Sequence, residues 1–409
     1  MDGGESHAHA RWGGTTIPAG TLLVAQSGGP TVVINASLAG IVAEGQQSGR
    51  FDAILGSRNG IEGVLDGALL DLTRLTPDRL DRLRATPSAA LGASRRPPTD
   101  DEIAAILDRF DALGITAFQP IGGNDTAETA LRLGAAAAER GQDLRIVAIP
   151  KTIDNDLPET DHCPGYGSIA RYTALAVRDS AFDTRAMAKI YPVKIVEVMG
   201  RNAGWLAASG SLAFEEALPR PILCLPERPV AGIDALAALV GATVERDGYA
   251  VLVTPETMRW ADGTPVGGTT PNWVDAFGHA YYRGVGSTLA RELGSRLGIQ
   301  ARYDKPGTIA RMAMASASPV DLAEAEQAGR EAVHRAIAGQ TGVMVTIQRA
   351  SDDPYAACFG PTPLERMASV ERRLPDDMID PSGHDVTPRF REWALPLLGD
   401  PLPEYEVLV

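Results

Sequence analysis

Residues 145–156 read RIVAIPKTIDND, and this stretch decides the fold. Ile146 to Ile149 form an apolar run too short for a helix and halted at Pro150, which predicts a buried strand. The chain then turns polar at once, with Lys151, Thr152, Asp154 and Asp156 in close succession. The same passage from apolar run to polar or glycine-rich loop recurs in TLLVAQSGG (21–29), AFQPIGGND (117–125), KIVEVMGRNAG (194–204), PILCLPERP (221–229) and YAVLVTPE (249–256). Helical patterns separate these runs. DEIAAILDRFDALG (101–114) carries Ile103, Ile106, Leu107 and Phe110 on one stripe and stops at Gly114, and VDLAEAEQAGREAVHRAIAG (320–339) gives a late helix. Strands and helices in alternation predict an α/β fold: largely parallel sheets with helices on both faces, and ligands outside the carboxyl ends of the strands.

A chain of 409 residues has room for two or three domains. Its 52 acidic against 38 basic residues give a net charge of -14, which argues against nucleic acid or an anionic membrane as partner. Cys163, Cys224 and Cys358 are odd in number and far apart, which predicts neither a disulfide framework nor a zinc site, but a reducing, cytoplasmic setting. No apolar stretch reaches the ~18 residues of a membrane span, and MDGGESHAHARWGG (1–14) lacks the apolar core of a signal peptide. His7 and His9 in that stretch read as part of a flexible tail. Loop character changes near residue 160, which is where a domain boundary is expected. From Pro361 onward, with LPDDMIDPSGHDVTP (374–388), the chain reads as irregular and surface-lying.

Three of the polar loops carry chemistry. In SGGPTVVINASLAG (27–40), Gly28 and Gly29 follow a strand and precede a helix, so backbone N–H groups and a helix N-terminus can face an anion; Gly-Gly is equally a plain turn. In PIGGNDTAETA (120–130), Gly122 and Gly123 repeat the arrangement, with Asn124, Asp125 and Thr126 at a helix start, where Asp125 or Thr126 could serve only as a cap. Phosphoryl transfer needs cations on the moving group, a carboxylate to take a hydroxyl proton and carboxylates for Mg²⁺, and Lys151, Asp154 and Asp156 supply all three types. An Asx-rich turn beside a solvated lysine is the plain alternative.

Taken together, PKTIDND, IGGND, SGGPTVVINA, VEVMGRNAG, LPERP and the later GTIAR closely resemble the phosphofructokinase family, over residues 20 to 320. The resemblance implies two Rossmann-like doubly wound domains with the active site in the cleft between them. A donor domain is expected at 21–160, completed by part of 307–345, with a tail at 1–20, a sugar-phosphate domain at 161–306 and an extension at 346–409 packing on both. The implied reaction is reversible phosphoryl transfer to the 1-hydroxyl of fructose 6-phosphate, with Mg²⁺, in a cytoplasmic homodimer or homotetramer. The donor that the resemblance implies is pyrophosphate, because ATP-using members typically have glycine where Asp125 and Lys151 stand. An aspartate repels the α-phosphate end of a nucleotide, and a lysine grips compact pyrophosphate as a point charge.

Residue by residue, the resemblance makes Asp154 the general base, aided by Lys151 and Arg201. Gly28, Gly29, Arg95, Gly123, Asn124, Asp125 and Lys151 are expected at the donor, with Arg96 as a competitor to Arg95. Thr152, Asp154, Asp156, Met199, Gly200, Arg201, Glu227 and Arg311 are expected at the sugar phosphate, and Asn124, Asp125 and Asp156 at the metal. Some positions depart from the family: Asn124 stands where many members have aspartate, Thr308 replaces a histidine or tyrosine, and Pro192 falls where an arginine reaching across a subunit interface is expected, with Lys189 or Lys194 as substitutes. His279 reads as structural and Glu256 as a strand-end residue. Other readings are an ATP-dependent enzyme, the same chemistry on another ketose phosphate such as sedoheptulose 7-phosphate, and a non-catalytic regulatory subunit.

Overall fold

The computed structural model describes residues 11–12, 15–16, 20–214, 218–268, 270–274, 280–281, 284–368 and 370–408, so His7, His9 and His279 lie outside the described residues. In chain order the principal strands are β1 (Gly20–Gln26), β2 (Phe51–Ser57), β3 (Leu69–Asp71), β4 (Ile115–Gly122), β5 (Arg145–Pro150), β6 (Val193–Val198), β7 (Ile222–Leu223), β8 (Ala250–Pro255), β9 (Ala301–Asp304), β10 (Val343–Asp352) and β11 (Tyr355–Pro363). The principal helices are α1 (Ile34–Ser48), α2 (Asp100–Ala112), α3 (Asn124–Glu139), α4 (Tyr166–Ala186), α5 (Ile233–Asp247), α6 (Val285–Leu297) and α7 (Pro319–Ile337).

One sheet has seven strands in the order β11, β10, β5, β4, β1, β2, β3; a second has four in the order β9, β6, β8, β7. The pairings from β10 across to β2 are parallel, with antiparallel β11 and β3 at the edges, and the second sheet is parallel throughout. Alternation along each strand feeds two cores. Leu22, Val24, Val147 and Ile149 pack against α1 and α7, whereas Leu23, Ala25, Ile146 and Ala148 face α2 and α3. The helix stripe Ile103, Ile106, Leu107, Phe110 is buried in the second of these cores, and a capping box between Thr99 and Glu102 starts α2. Each such apolar side chain contributes about 1.5–3 kcal/mol on burial. In the smaller sheet, Val193 and Ile195 face α5 and α6, and Val196 and Val198 face α4.

The stretch after Pro361 is not surface-lying. Leu374, Met378, Phe390, Leu397 and Leu398 are buried in the core that covers α4, and β10 and β11 belong to the large sheet. A seven-residue helix (Pro388–Ala394) and short 3₁₀ turns carry most of these apolar residues over stretches too short to show a period, so periodicity does not reveal their burial. Beyond them the chain lies along α4, whose arginines repeat every seventh residue. Arg171 donates to Leu398 O at 3.1 Å, Arg178 to Pro403 O at 2.7 Å and Arg185 to Leu408 O at 2.8 Å, and the Arg178 guanidinium stacks 3.9 Å over Tyr405.

β1 leads to β2 on one side and neighbours β4 on the other, so a crevice opens at its carboxyl end, as the topology of open parallel sheets dictates. The loops after β1, β4 and β5 meet the loops after β6, β8 and β9 across a cleft of about 800 Å³.

Candidate active site

Gly28, Gly29, Arg95, Gly123, Asn124, Asp125, Lys151, Thr152, Asp154, Asp156, Met199, Arg201 and Arg311 all line this cleft. On the side of the large sheet the glycine loop after β1 carries a group of cations. Lys151 is 3% exposed and donates from Nζ to Gly29 O at 2.8 Å. A Cβ added to Gly29 would lie 2.6 Å from Arg311 Nη1 and 2.9 Å from Arg95 Nη2, and one added to Gly28 would lie 3.1 Å from Lys151 Nζ. The missing side chains are thus what admits three cations to one loop. Burial, then the fields of Arg95 and Arg311, lowers the Lys151 pKa to about 7, against the pull of Asp154 and Asp156. Arg96, the competitor to Arg95, is ion-paired with Glu102 and, at 3.3 Å, with Glu62.

The next loop holds the carboxylates. Asn155, at φ 54°, makes a left-handed turn between Asp154 and Asp156, and its Oδ1 accepts from Cys163 N at 2.9 Å. Thr152 Oγ1 accepts from Asp154 N at 3.1 Å and donates to Asp156 Oδ1 at 3.2 Å. Burial raises the pKa of both aspartates; Asp154 and Asp156 repel one another, while Arg201 and Lys151 pull Asp154 back down. A carboxylate pair in this condition favours a cation beside it. The described residues contain no group of three His, Cys, Asp or Glu side chains able to hold a metal alone.

From the smaller sheet come Met199 and Arg201, with Glu256 after β8. Burial raises the Glu256 pKa, in a field shared with Glu197, Lys305, Arg201 and Arg311. Glu256 is therefore part of the cleft and not merely a strand-end residue. Gly200, at φ 103°, shapes the turn but does not line the cleft.

Two residues expected at the sugar phosphate, Glu227 and Arg311, make contacts that their motifs do not announce. Glu227 Oε1 accepts from Gly204 N and Leu374 N, each at 2.9 Å; it supports the loop behind the cleft and does not line it. Arg311 lies with Arg95 beside the glycine loop after β1, where Gly29 leaves room for its guanidinium. Lys194, a substitute for the absent arginine, is buried in an ion pair with Asp304 at 2.7 Å, near the amino end of β6 and away from the cleft. Sequence reasoning missed Glu371, which lines the cleft opposite Asp156, because its segment carries no periodic signal.

Residues 21–336 match the description of a phosphofructokinase. The chain belongs to the phosphofructokinase family. It is 38% identical over 405 residues to a pyrophosphate--fructose 6-phosphate 1-phosphotransferase of Xanthomonas campestris pv. campestris, covering 94% of this chain and 95% of the relative. A protein of the same name from Methylococcus capsulatus is 36% identical, covering 93% and 92%. Among solved structures, a pyrophosphate-dependent phosphofructokinase from Nitrosospira multiformis superposes with a TM-score of 0.85 at 34% identity, covering 95% of this chain and 94% of that one. The two-sheet α/β architecture is that of the phosphofructokinase family, with the loops of both sheets facing one cleft.

Proposed function

We propose that this phosphofructokinase-family chain transfers a phosphoryl group from pyrophosphate to the 1-hydroxyl of fructose 6-phosphate, giving fructose 1,6-bisphosphate and phosphate. The observation that carries the reading is the cation group on the glycine loop, Lys151 with Arg95 and Arg311 over Gly28 and Gly29, in the cleft that Asp125 also lines. Three cations within reach of one loop match a compact, highly charged donor. Asp125, at the start of α3, repels the longer phosphate chain of a nucleotide. The names of the relatives agree with this choice.

In this reading the large sheet supplies the donor half of the cleft and the smaller sheet the sugar half. Asp154 takes the proton from the sugar O1, O1 bonds to the nearer phosphorus, and the bridging P–O bond of pyrophosphate breaks as phosphate leaves. Lys151, Arg95 and Arg311 carry the charge on the donor, and Arg201 acts beside the transferring group. Thr152 holds the Asp154 backbone N–H and the Asp156 carboxylate through its two hydrogen bonds. Asp125, the carbonyl of Asn124 and Asp156 would hold Mg²⁺ together with donor oxygens, which suits a cation that binds one or two carboxylates plus phosphates. When bound, Mg²⁺ offsets the charge of the donor phosphates. The two phosphate bonds are close in transfer potential, so the reaction runs both ways. A cytoplasmic homodimer or homotetramer goes with this reading through the family.

The test is fructose 1,6-bisphosphate formation from fructose 6-phosphate and Mg²⁺, with pyrophosphate and ATP in parallel. Turnover with pyrophosphate and none with ATP is expected; turnover with ATP alone overturns the donor assignment, and silence with both overturns the reaction.

A further inference from the structure

Residues 370–374 hydrogen-bond the loops after β4, β5, β6 and β7. Val370 O accepts from Asn124 Nδ2 at 2.6 Å on the donor side, and the Glu371 carboxylate accepts from Asn202 Nδ2 at 3.0 and 3.1 Å on the sugar side. Leu374 N donates to Glu227 Oε1. At the centre, Arg372 N donates to Asp156 O at 2.7 Å, and its guanidinium donates to Asn155 O at 3.0 and 3.3 Å, to Asp161 O at 2.8 Å and to Thr160 O. The guanidinium also stacks 4.7 Å from the Trp205 ring, whose Nε1 donates back to Arg372 O at 3.2 Å.

The arginine thus directs its donors at the backbone carbonyls of one loop. A planar guanidinium fixes several carbonyls in one geometry, which an ammonium on a flexible stem does not. The carbonyl it grips twice is that of Asn155, the left-handed residue that separates the two aspartates.

We infer that Arg372 is a positioning residue that holds the Asn155 turn and thereby aims the Asp154 carboxylate at the acceptor hydroxyl. It does not line the cleft, and it acts through the loop. The inference rests on the reaction proposed above. Lys151 and Thr152 are held from the other end of the loop by β5 and by Gly29, so loss of Arg372 moves the base more than the donor site.

The experiment compares the parent with Arg372→Ala and Arg372→Lys by kcat, by KM for pyrophosphate and fructose 6-phosphate, and by thermal midpoint. The Ala variant is expected to lose roughly 100-fold in kcat, with both KM values within about threefold, since a misplacement of about 1 Å costs on that order. The Lys variant, and guanidinium ion added to the Ala variant, are expected to recover part of the loss. A kcat within about threefold of the parent in the Ala variant, or a loss confined to KM, overturns the inference. If the Ala variant does not fold, the Lys variant decides on the same kcat and KM criteria. An inactive parent instead sinks the proposed reaction, which keeps the two failures apart.

Discussion

Gly29→Ala is the sharpest probe of the cation group. Gly29 has no left-handed φ, so alanine strains no backbone there, unlike Gly28 at φ 74°. The new methyl would stand 2.6 Å from Arg311 Nη1 and 2.9 Å from Arg95 Nη2, closer than any real contact, so the two guanidinium groups must swing away. They are the ends of flexible side chains, and the fold absorbs the move; a thermal midpoint within about 3 °C of the parent is expected. The donor, by contrast, loses at least one charge-assisted hydrogen bond, worth about 1.5–3 kcal/mol. That converts to a fall of roughly 10- to 150-fold in kcat/KM for pyrophosphate. Initial rates measured against pyrophosphate at saturating fructose 6-phosphate, and then the reverse titration, locate the loss. The expected pattern is a change on the pyrophosphate axis, with KM for fructose 6-phosphate within about threefold. Parent-like kcat/KM for pyrophosphate refutes the cradle, and a loss confined to the sugar axis returns Arg311 to the sugar phosphate.

Asp154→Asn removes the base and is expected to lower kcat by roughly 10²–10⁴-fold while both KM values stay near the parent; unchanged turnover removes Asp154 from that role. Asp125→Gly relieves repulsion of a nucleotide, so measurable ATP-dependent turnover is expected, and continued inertness toward ATP shows that Asp125 alone does not set donor choice. The pH profile of kcat/KM follows from the shifts: burial raises Asp156 to about 7 and raises Asp154 as well, so Asp156 becomes protonated as pH falls below neutral, and Lys151, lowered to about 7, loses its charge as pH rises. A narrow maximum near neutrality is expected, and a plateau from about pH 6 to about pH 9 contradicts the assignment. Deleting residues 400–409 strips the Pro403 carbonyl and the Tyr405 ring from Arg178, which is 3% exposed, and a lower thermal midpoint with intact kcat is expected in differential scanning calorimetry.

What could be read from the sequence was what is encoded locally. The alternation of short apolar runs with helical stripes announces parallel sheets, and the glycine and KTIDND loops follow their strands directly, so their convergence at one edge follows from topology. What could not be read depends on residues far apart in the chain. Arg372 and Glu371 lie in an irregular segment, and only tertiary packing brings Arg372 to a loop made of residues 152–161 and Glu371 to Asn202. Glu227 has the residue type for a sugar ligand, yet two backbone N–H groups claim one of its oxygens. Arg311 reads as a phosphate ligand from its motif, but which phosphate it faces depends on the space left by Gly29.

The insertion of β10 between β5 and β11 sets an order on how the protein can be made. While a ribosome is still producing the four-stranded sheet, β5 waits as an uncovered parallel edge with its catalytic loop unsupported. Such an edge is an invitation to pair with another chain. A nascent chain halted before residue 343 therefore has the lysine and aspartates of the site but neither the strand that closes their sheet nor the arginine beneath their loop. The strand that closes the large sheet and the arginine that grips the loop therefore join it only when the chain has been made past residue 372.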